Sequence, residues 1–460
     1  MPEELEVFNT LGRRRQPFKP RNDGQVLMYT CGPTVYKYSH IGNFRTYLMS
    51  DFWVRALQYL GYDVTQTENI TDVGHLLDDA DTGRDKVLES AQAEGKTPEE
   101  IADYYTQAFR EDAAMLRIRP PDHTPRATEF VPQMIEFVTR LMEKGHAYEA
   151  GGNVYYDVLS KPDYPKLSGN TIEQLQAGYR MEVDPQKRHP ADFSLWRAAG
   201  PRRLQVWDSP WGKGFPGWHI ECSVMSLHHF PDGFDIHTGG VDLVFPHHED
   251  EIAQSEPIAG EGFVNYWIHG DHLDLEGRKM AKSAGNIVRV GTLRDQGYDP
   301  LAFRYAYLFA RYRSKVHFND ETLESAARGL ASIRQRAAEL PSAEPADSEA
   351  ARGFESEFVA ALKDDLNLTR VPDLIQRVLK AEMAGGEKRT LLERWDQVLQ
   401  LDLTRAESVE VPADVMELVE RREKARADRQ WDAADRLRDE IAAKGWSVED
   451  TAGGAKLRPR

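Results

Sequence analysis

The chain has 460 residues, 40% of them hydrophobic and 29% charged, with 34 Gly and 25 Pro, which suits a globular protein of roughly three domains and excludes collagen, a coiled coil or a disordered chain. A formal net charge of −17 argues against a general nucleic-acid coat, because phosphate binding is driven by counterion release from Lys and Arg, so any nucleic-acid contact must be local. No stretch approaches the roughly 18 apolar residues of a membrane span, and the start MPEELEVFNT lacks the basic and apolar regions of a signal peptide, so the expectation is a cytoplasmic protein without membrane contact.

In chain order, a basic cluster of Arg13, Arg14, Arg15, Lys19 and Arg21 comes first. Gln25 to Thr30 (QVLMYT) reads as a buried strand, followed by a Gly/Pro loop and a helical pattern with Ile41, Phe44, Leu48 and Phe52 on one face. Gly61 is the expected stop of that helix, and Tyr62 to Ile70 reads as the next strand. Strand, loop, helix, strand is the start of a doubly wound sheet, whose ligands bind beyond the strands' C-terminal ends, where Cys31 sits. From about Pro120 the character changes: PPDHTPR opens a helix, then GGNVYYDV and a Pro/Asp/Lys-rich stretch read as an insertion. The sheet pattern resumes near residue 200, with Phe234 to His237 as a strand ending in Gly239-Gly240, and with Pro246 in the first turn of the helix carrying HHEDEIAQS.

Beyond about residue 310 the pattern is helical, broken by ELPSAEPADSEA and by Leu403 to Ala413. Residues 421–460 carry eleven Lys or Arg against eight Asp or Glu, a net of +3, so the other 420 residues carry −17 − 3 = −20 and the tail is a basic island. The expected architecture is therefore α/β: a Rossmann-type doubly wound parallel sheet in two halves, 1–120 and 201–310, split by a connective insertion at 121–200. A helical bundle at 311–402 and a small C-terminal domain at 403–460 follow.

Two cysteines in so long a chain exclude a disulfide framework and leave metal ligation, catalysis or burial as small hydrophobes. His247 and Glu251 stand at i and i+4, so on a helix both project from one face and could share an ion with Cys31 and Cys222; two thiolates, an imidazole and a carboxylate suit zinc. By spacing alone His248 or Glu249 could equally be the ligands. Two further signatures concern phosphate. His40, Ile41, Gly42 and Asn43 stand where the first loop turns into a helix, beside free backbone N–H groups and a positive dipole end; the motif is either an anion site or a plain helix start. Gly42 either admits a nucleotide close to the backbone or serves helix packing. Arg278 to Asn286 (RKMAKSAGN) pairs Lys279 with Lys282 in a small-residue loop, which either closes over a triphosphate or is a solvated basic turn.

HIGN after a first strand with KMAKS some 240 residues later resembles the HIGH and KMSKS signatures of class I aminoacyl-tRNA synthetases. The stretches MYTCGPTVYKYSHIGNFRTY, NITDVGH, GWHIECSVMS, DIHTGGVDLVFPHHEDEIAQSE and KMAKSAGN resemble the cysteinyl-tRNA synthetase family over essentially the whole chain. The resemblance implies ligation of L-cysteine to tRNA(Cys) through a cysteinyl adenylate made from ATP, by a monomer with one zinc per chain and magnesium accompanying the nucleotide. It implies Cys31, Cys222, His247 and Glu251 as zinc ligands, hence not His248 or Glu249, with the substrate thiolate joining the metal. It implies Thr71, Trp218, His237 and Asp242 around the amino acid, Asp242 as ammonium partner; His40, Gly42, Asn43 and Lys282 at ATP; and Lys279 and Lys282 opposite the leaving pyrophosphate. Asn43 replaces the second His of HIGH and Ala281 the first Ser of KMSKS, which shifts phosphate stabilisation toward the two lysines. NITDVGHLLDDADTGRD departs from the family's NITDIDDK form, so no role is carried to His75. A ligase transferring cysteine to a small amine would keep the adenylating core but has no use for a helical bundle and a basic tail; a closed structural zinc site would leave both phosphate signatures idle.

Overall fold

The computed structural model describes residues 4–74, 86–178, 184–201, 203–275, 288–405, 412–451 and 454–459. Seven elements position the site: β1 (Gln25–Thr30), α1 (Ile41–Tyr59), β2 (Asp63–Glu68), α2 (Trp218–His229), β3 (Phe234–Gly240), α3 (Glu249–Ala259) and β4 (Val264–Gly270). The strands form one all-parallel sheet in the order β4-β3-β1-β2. From β1 the chain returns through α1 to β2 on one side, and from β3 through α3 to β4 on the other. The connections diverge between β1 and β3, which opens a crevice beyond their C-terminal ends. This is the expected doubly wound arrangement.

β1 has the bounds that its apolar run predicts. β2 ends at Glu68, two residues before the expected Ile70, because Asn69 turns to accept the Gly32 N–H at 2.9 Å and so ties the two strand ends together. A Cβ on Gly32 would stand 1.6 Å from the Asn69 carbonyl oxygen, so only glycine fits there. β3 ends at Gly239-Gly240 as expected, these two glycines pairing with His269 and Gly270 of β4. Pro246 lies ahead of α3, in a separate turn Val244–His248 whose Phe245 is extended (φ −141°, ψ 132°), and α3 begins only at Glu249.

On α1 the expected face of Ile41, Phe44, Leu48 and Phe52 is fully buried, but so are Trp53 and Asp51 on other faces, since the helix is packed between the sheet and the later helices. Asp51 is satisfied there by Arg304, 2.6 Å away with both side chains at most 1% exposed, and by Arg55 at 2.9 Å. The Arg304 guanidinium also donates to the carbonyls of Leu116 and Leu399, joining three segments. Breaking a buried pair strands a charge, so Asp51→Ala is expected to cost about 3–5 kcal/mol of stability, read by denaturant unfolding.

The segment between the halves of the parallel sheet contains the helix Val131–Glu143 and a five-stranded antiparallel sheet, in the order Ala147–Ala150, Asn153–Tyr156, Phe193–Ala198, Gly212–Pro216, Trp207–Ser209. Its apolar side shares a core with Tyr29, Cys31, Cys222 and Trp267, so this sheet walls the metal-ligand candidates off from water on one side. After the short strand Val316–Phe318 the chain is helical from Asp320 to Leu399, with Asn319 and Ser348 capping Asp320–Ala338 and Glu349–Lys363 through their side chains. Arg405–Arg460 forms a second compact unit of its own. In it two helices, Ala413–Ala427 and Trp431–Ala443, and a hairpin, Trp446–Thr451 with Gly454–Pro459, close around Val415, Leu437, Ile441 and Trp446. Arg422 holds the hairpin through a two-point bond to Asp450 at 2.8 and 2.9 Å. Among the described residues no helix is long and apolar enough to cross a membrane.

Candidate active site

Cys31 follows β1 directly, and its N–H donates to the Thr238 carbonyl of β3 at 3.1 Å, which fixes it at the crevice. Cys222 comes from the first turns of α2, His247 from the turn before α3 and Glu251 from α3 itself. The four ligand atoms lie within 4.8 Å of one another and all four residues are buried. Cys31 and Cys222 bring their Sγ atoms to 3.8 Å, which matches the roughly 3.8 Å edge of a tetrahedron with metal–sulfur bonds of about 2.3 Å. Glu251 Oε1 stands 3.8 Å from Cys31 Sγ and 3.1 Å from His247 Nε2. His247 and Glu251 thus meet as the i,i+4 spacing anticipates, although only Glu251 belongs to the regular helix.

The protonation of these groups points the same way. Hydrogen bonding from Cys31, helped by His247 and opposed by burial, brings the Cys222 thiol down to about 7. Burial and the shared bond push Cys31 up, so the pair retains one proton between its sulfurs. Burial alone would raise Glu251, but His237 and His247 hold its carboxyl down to about 2. Against its burial, His247 is raised by Cys222 and Glu251. A thiolate, a carboxylate and an imidazolium packed out of water form a donor set that suits a divalent cation, which replaces the protons.

The surroundings hold these ligands in place. His247 Nδ1 lies 2.9 Å from His219 Nδ1, and the far nitrogen of His219 is 3.4 Å from Asp250, which accepts the Tyr164 hydroxyl at 2.7 Å. Such outer partners orient a ligating imidazole. His237, expected beside the amino acid, is fully buried outside the lining of the crevice, and its Nε2 bonds Glu251 Oε2 at 2.9 Å. Glu249 is engaged elsewhere, accepting the backbone N–H groups of Lys166, Leu167 and Ser168 at 2.5–3.0 Å. His248 is within reach: its Nε2 lies 3.2 Å from Cys31 Sγ, and Cys31, His237, His248 and Glu251 form a second group of mutually close donors. His219 and His269 escaped the sequence because nothing in the local pattern around either marks it, whereas His248 stood there as an alternative to His247.

A cavity of about 270 Å³ opens over this cluster, with Cys31, Cys222 and His247 in its wall together with Thr71, Trp218, Asp242 and Asn43. Trp218 packs against His247, ring centroids 4.5 Å apart and planes tilted by 36°, and Thr71 Oγ1 accepts from Asn69 Nδ2 at 3.0 Å. His40 and Asn43 cap α1 reciprocally, the Asn43 N–H donating to His40 Nδ1 and the His40 N–H to Asn43 Oδ1, each at 3.1 Å. Burial first, then Lys37, lowers the His40 pKa, so the ring is neutral with its hydrogen on Nε2. At Gly42 a Cβ would meet His40 Nδ1 at 2.9 Å, so the glycine makes room for the capping ring. Lys279, Ala281 and Lys282 fall in 276–287 and His75 in 75–85, outside the described residues.

Glu68, at the end of β2, is a buried acid that the sequence did not single out; burial raises its carboxyl to about 8. The folded pKa exceeds the unfolded one, so its neutral form supports folding at low pH and that support fades as pH rises from about 4.5 through 8. Glu68→Gln is expected to gain on the order of a few kcal/mol at pH 9 and nothing at pH 4, measured by urea unfolding at both.

Comparison with known proteins follows the same lines. A family model for the tRNA synthetases class I (C) catalytic domain matches residues 17–328, and one for the cysteinyl-tRNA ligase anticodon binding domain matches 408–458. The cysteine–tRNA ligase of Treponema denticola is 39% identical over 483 residues, 98% of each chain. Those of Thermus thermophilus and Chromobacterium violaceum are 40% and 42% identical over 99% of each chain. The methionyl-tRNA synthetase of Mycobacterium tuberculosis, solved with methionyl-adenylate, shares the fold at a TM-score of 0.56 and 17% identity over 82% of this chain and 90% of its own. The LeuRS of Agrobacterium radiobacter, solved with tRNA and LeuAMS, does so at 0.57 and 12% over 85% and 86%. With both halves of the sheet, the buried donors and the tail unit falling inside matches of this extent, the chain belongs to the cysteine–tRNA ligases, within class I of the aminoacyl-tRNA synthetases.

Proposed function

We propose that this chain ligates L-cysteine to tRNA(Cys) through a cysteinyl adenylate and recognises the amino acid by its thiolate, acting as a cytoplasmic monomer. The observation that carries the reading is the set of four buried donors, two of them sulfur, at the sheet's switch point, with Cys31, Cys222 and His247 in the wall of the crevice. Zinc held by Cys31, Cys222, His247 and Glu251 would supply a soft Lewis acid that prefers a thiolate to an alcohol. Asp242 faces the same cavity as the donors and would hold the substrate ammonium, while Thr71 and Trp218 close the pocket around the side chain. His237 acts from behind, by holding Glu251.

In the first step a substrate carboxylate oxygen attacks the α-phosphorus of ATP, and the bond to pyrophosphate breaks. No general base is needed, so positioning and charge stabilisation supply most of the rate. His40 Nε2–H and the Asn43 amide, whose oxygen is engaged in the cap, are the donors for phosphate oxygens at the positive end of α1. Lys282 and Lys279 offset charge on the departing pyrophosphate, with magnesium accompanying ATP. In the second step a ribose hydroxyl of the terminal adenosine of the tRNA attacks the adenylate carbonyl and AMP leaves. The tail unit, with its net +3 over 421–460, supplies local basic surface for the anticodon on a chain whose other 420 residues are net acidic.

The test is metal content and charging on one preparation. About one zinc per chain and cysteine-dependent charging of tRNA(Cys) are expected; zinc-free active protein, or pyrophosphate exchange with serine equal to that with cysteine, contradicts the reading. Deleting 405–460 should leave ATP–pyrophosphate exchange within about twofold and lower kcat/KM for tRNA by at least about 10²-fold, roughly 2.7 kcal/mol of lost contact. Unchanged charging would remove the assigned role of the tail.

A further inference from the structure

We propose that the buried cluster offers its ion two overlapping positions: an outer one formed by Cys31, Cys222, His247 and Glu251, and an inner one formed by Cys31, His237, His248 and Glu251 that retains the ion when the outer ligands are lost. The inference rests on the metal reading above and extends it. Each group places four ligand atoms within 4.8 Å of one another, and the two share Cys31 and Glu251. The shared carboxylate is divided between them, Oε1 lying 3.1 Å from His247 Nε2 and Oε2 2.9 Å from His237 Nε2. On the inner side His248 Nε2 is 3.2 Å from Cys31 Sγ, near the roughly 3.5 Å nitrogen–sulfur edge of a tetrahedral site.

Support for the ligands decides which position the ion prefers. His247 is backed by His219 and Asp250, and His248 by His269, whose Nδ1 lies 2.7 Å from Thr10 Oγ1. His237 Nδ1, by contrast, is a buried nitrogen with no hydrogen-bond partner among the described residues, so ligation through Nε2 leaves its N–H unsatisfied. The outer position also has two thiolates against one. It is therefore the resting position. Cys222 and His247 line the cavity while His237 and His248 stand behind it, so an ion in the inner position is kept by the protein but does not face the substrate.

Cobalt binding separates the two positions, because thiolate-to-cobalt charge transfer counts sulfur ligands. Cys222→Ala/His247→Ala removes both ligands peculiar to the outer position. The expected result is one bound cobalt per chain with charge-transfer absorbance at about half the wild-type intensity, unmoved by added cysteine. His237→Ala/His248→Ala should bind one cobalt at full intensity. A folded outer-deleted variant that binds no cobalt under conditions that saturate the wild type overturns the inference, and so does a wild type that takes two ions at once, which would make the positions separate rather than alternative. Where the alanine pair does not fold, Cys222→Ser/His247→Gln is read by the same criteria. Failure of the underlying metal reading is distinguishable, since the wild type itself would then bind no cobalt or show no response to cysteine.

Discussion

Cys31→Ser should lower cysteine-dependent ATP–pyrophosphate exchange by about a thousandfold and strip the protein of its metal. Cys31 is the one sulfur common to both donor groups, so neither is complete without it, and a serine oxygen stays protonated where the thiol yields a thiolate. A thousandfold corresponds to about 4 kcal/mol, the scale of one lost Lewis-acid interaction. The same variant tests selectivity. Rejecting serine by a factor of 10⁴ takes roughly 5.6 kcal/mol, whereas pocket fit between near-isosteres supplies about 1–3. Thr71, Trp218 and Asp242 alone therefore fall short, and the residual exchange of Cys31→Ser should favour cysteine over serine by no more than about 10–200-fold. Atomic absorption and the exchange assay with both amino acids check this; full activity without metal would show that the donors have another purpose.

Lys282→Ala is expected to lower kcat of adenylate formation by about 10²–10³-fold while KM for cysteine changes by less than about threefold. A cation opposite a departing pyrophosphate interacts with charge that develops only in the transition state, and such a contact moves kcat rather than ground-state binding. Lys282→Arg keeps the charge and should recover part of the loss. Asn43 sharpens the prediction. Its amide oxygen is committed to the helix cap, so at this position the chain offers phosphate at most a neutral donor, where the HIGH form of the motif has an imidazole that can be charged. More of the stabilisation then falls to the lysines. Stopped-flow or exchange kinetics at saturating ATP separate the two constants, and equal losses in both would contradict a transition-state role.

The sequence was most legible where periodicity and residue type agree. QVLMYT followed by the face of Ile41, Phe44, Leu48 and Phe52 specified β1 and α1, because a parallel strand buried on both faces must be apolar throughout and a packed helix must repeat near 3.6. β3 is less legible for the opposite reason: FDIHTGG carries Asp235, His237 and two glycines, and its polar groups are tolerated in the sheet only because partners arrive from elsewhere. Glu251 serves His237, while the N–H groups of Arg21 and Leu27 serve Asp235. The separate turn holding His247 depends on the extended Phe245, which the run of charged and polar residues after it masks.

By itself the sequence determined the kinds of chemistry present: two cysteines with no disulfide partner pattern, an imidazole and a carboxylate four residues apart, a polar motif opening the first helix, a lysine pair, and a basic tail on an acidic chain. These are properties of residue type and local spacing, which survive without a fold. Only the tertiary structure decided that sulfur atoms 191 residues apart stand 3.8 Å from each other, that Glu249 is spent on backbone N–H groups while His248 reaches Cys31, and that His237 bonds Glu251. Distances between residues far apart in the chain are set by how strands order themselves and which side of the sheet each helix covers, and no local pattern encodes that.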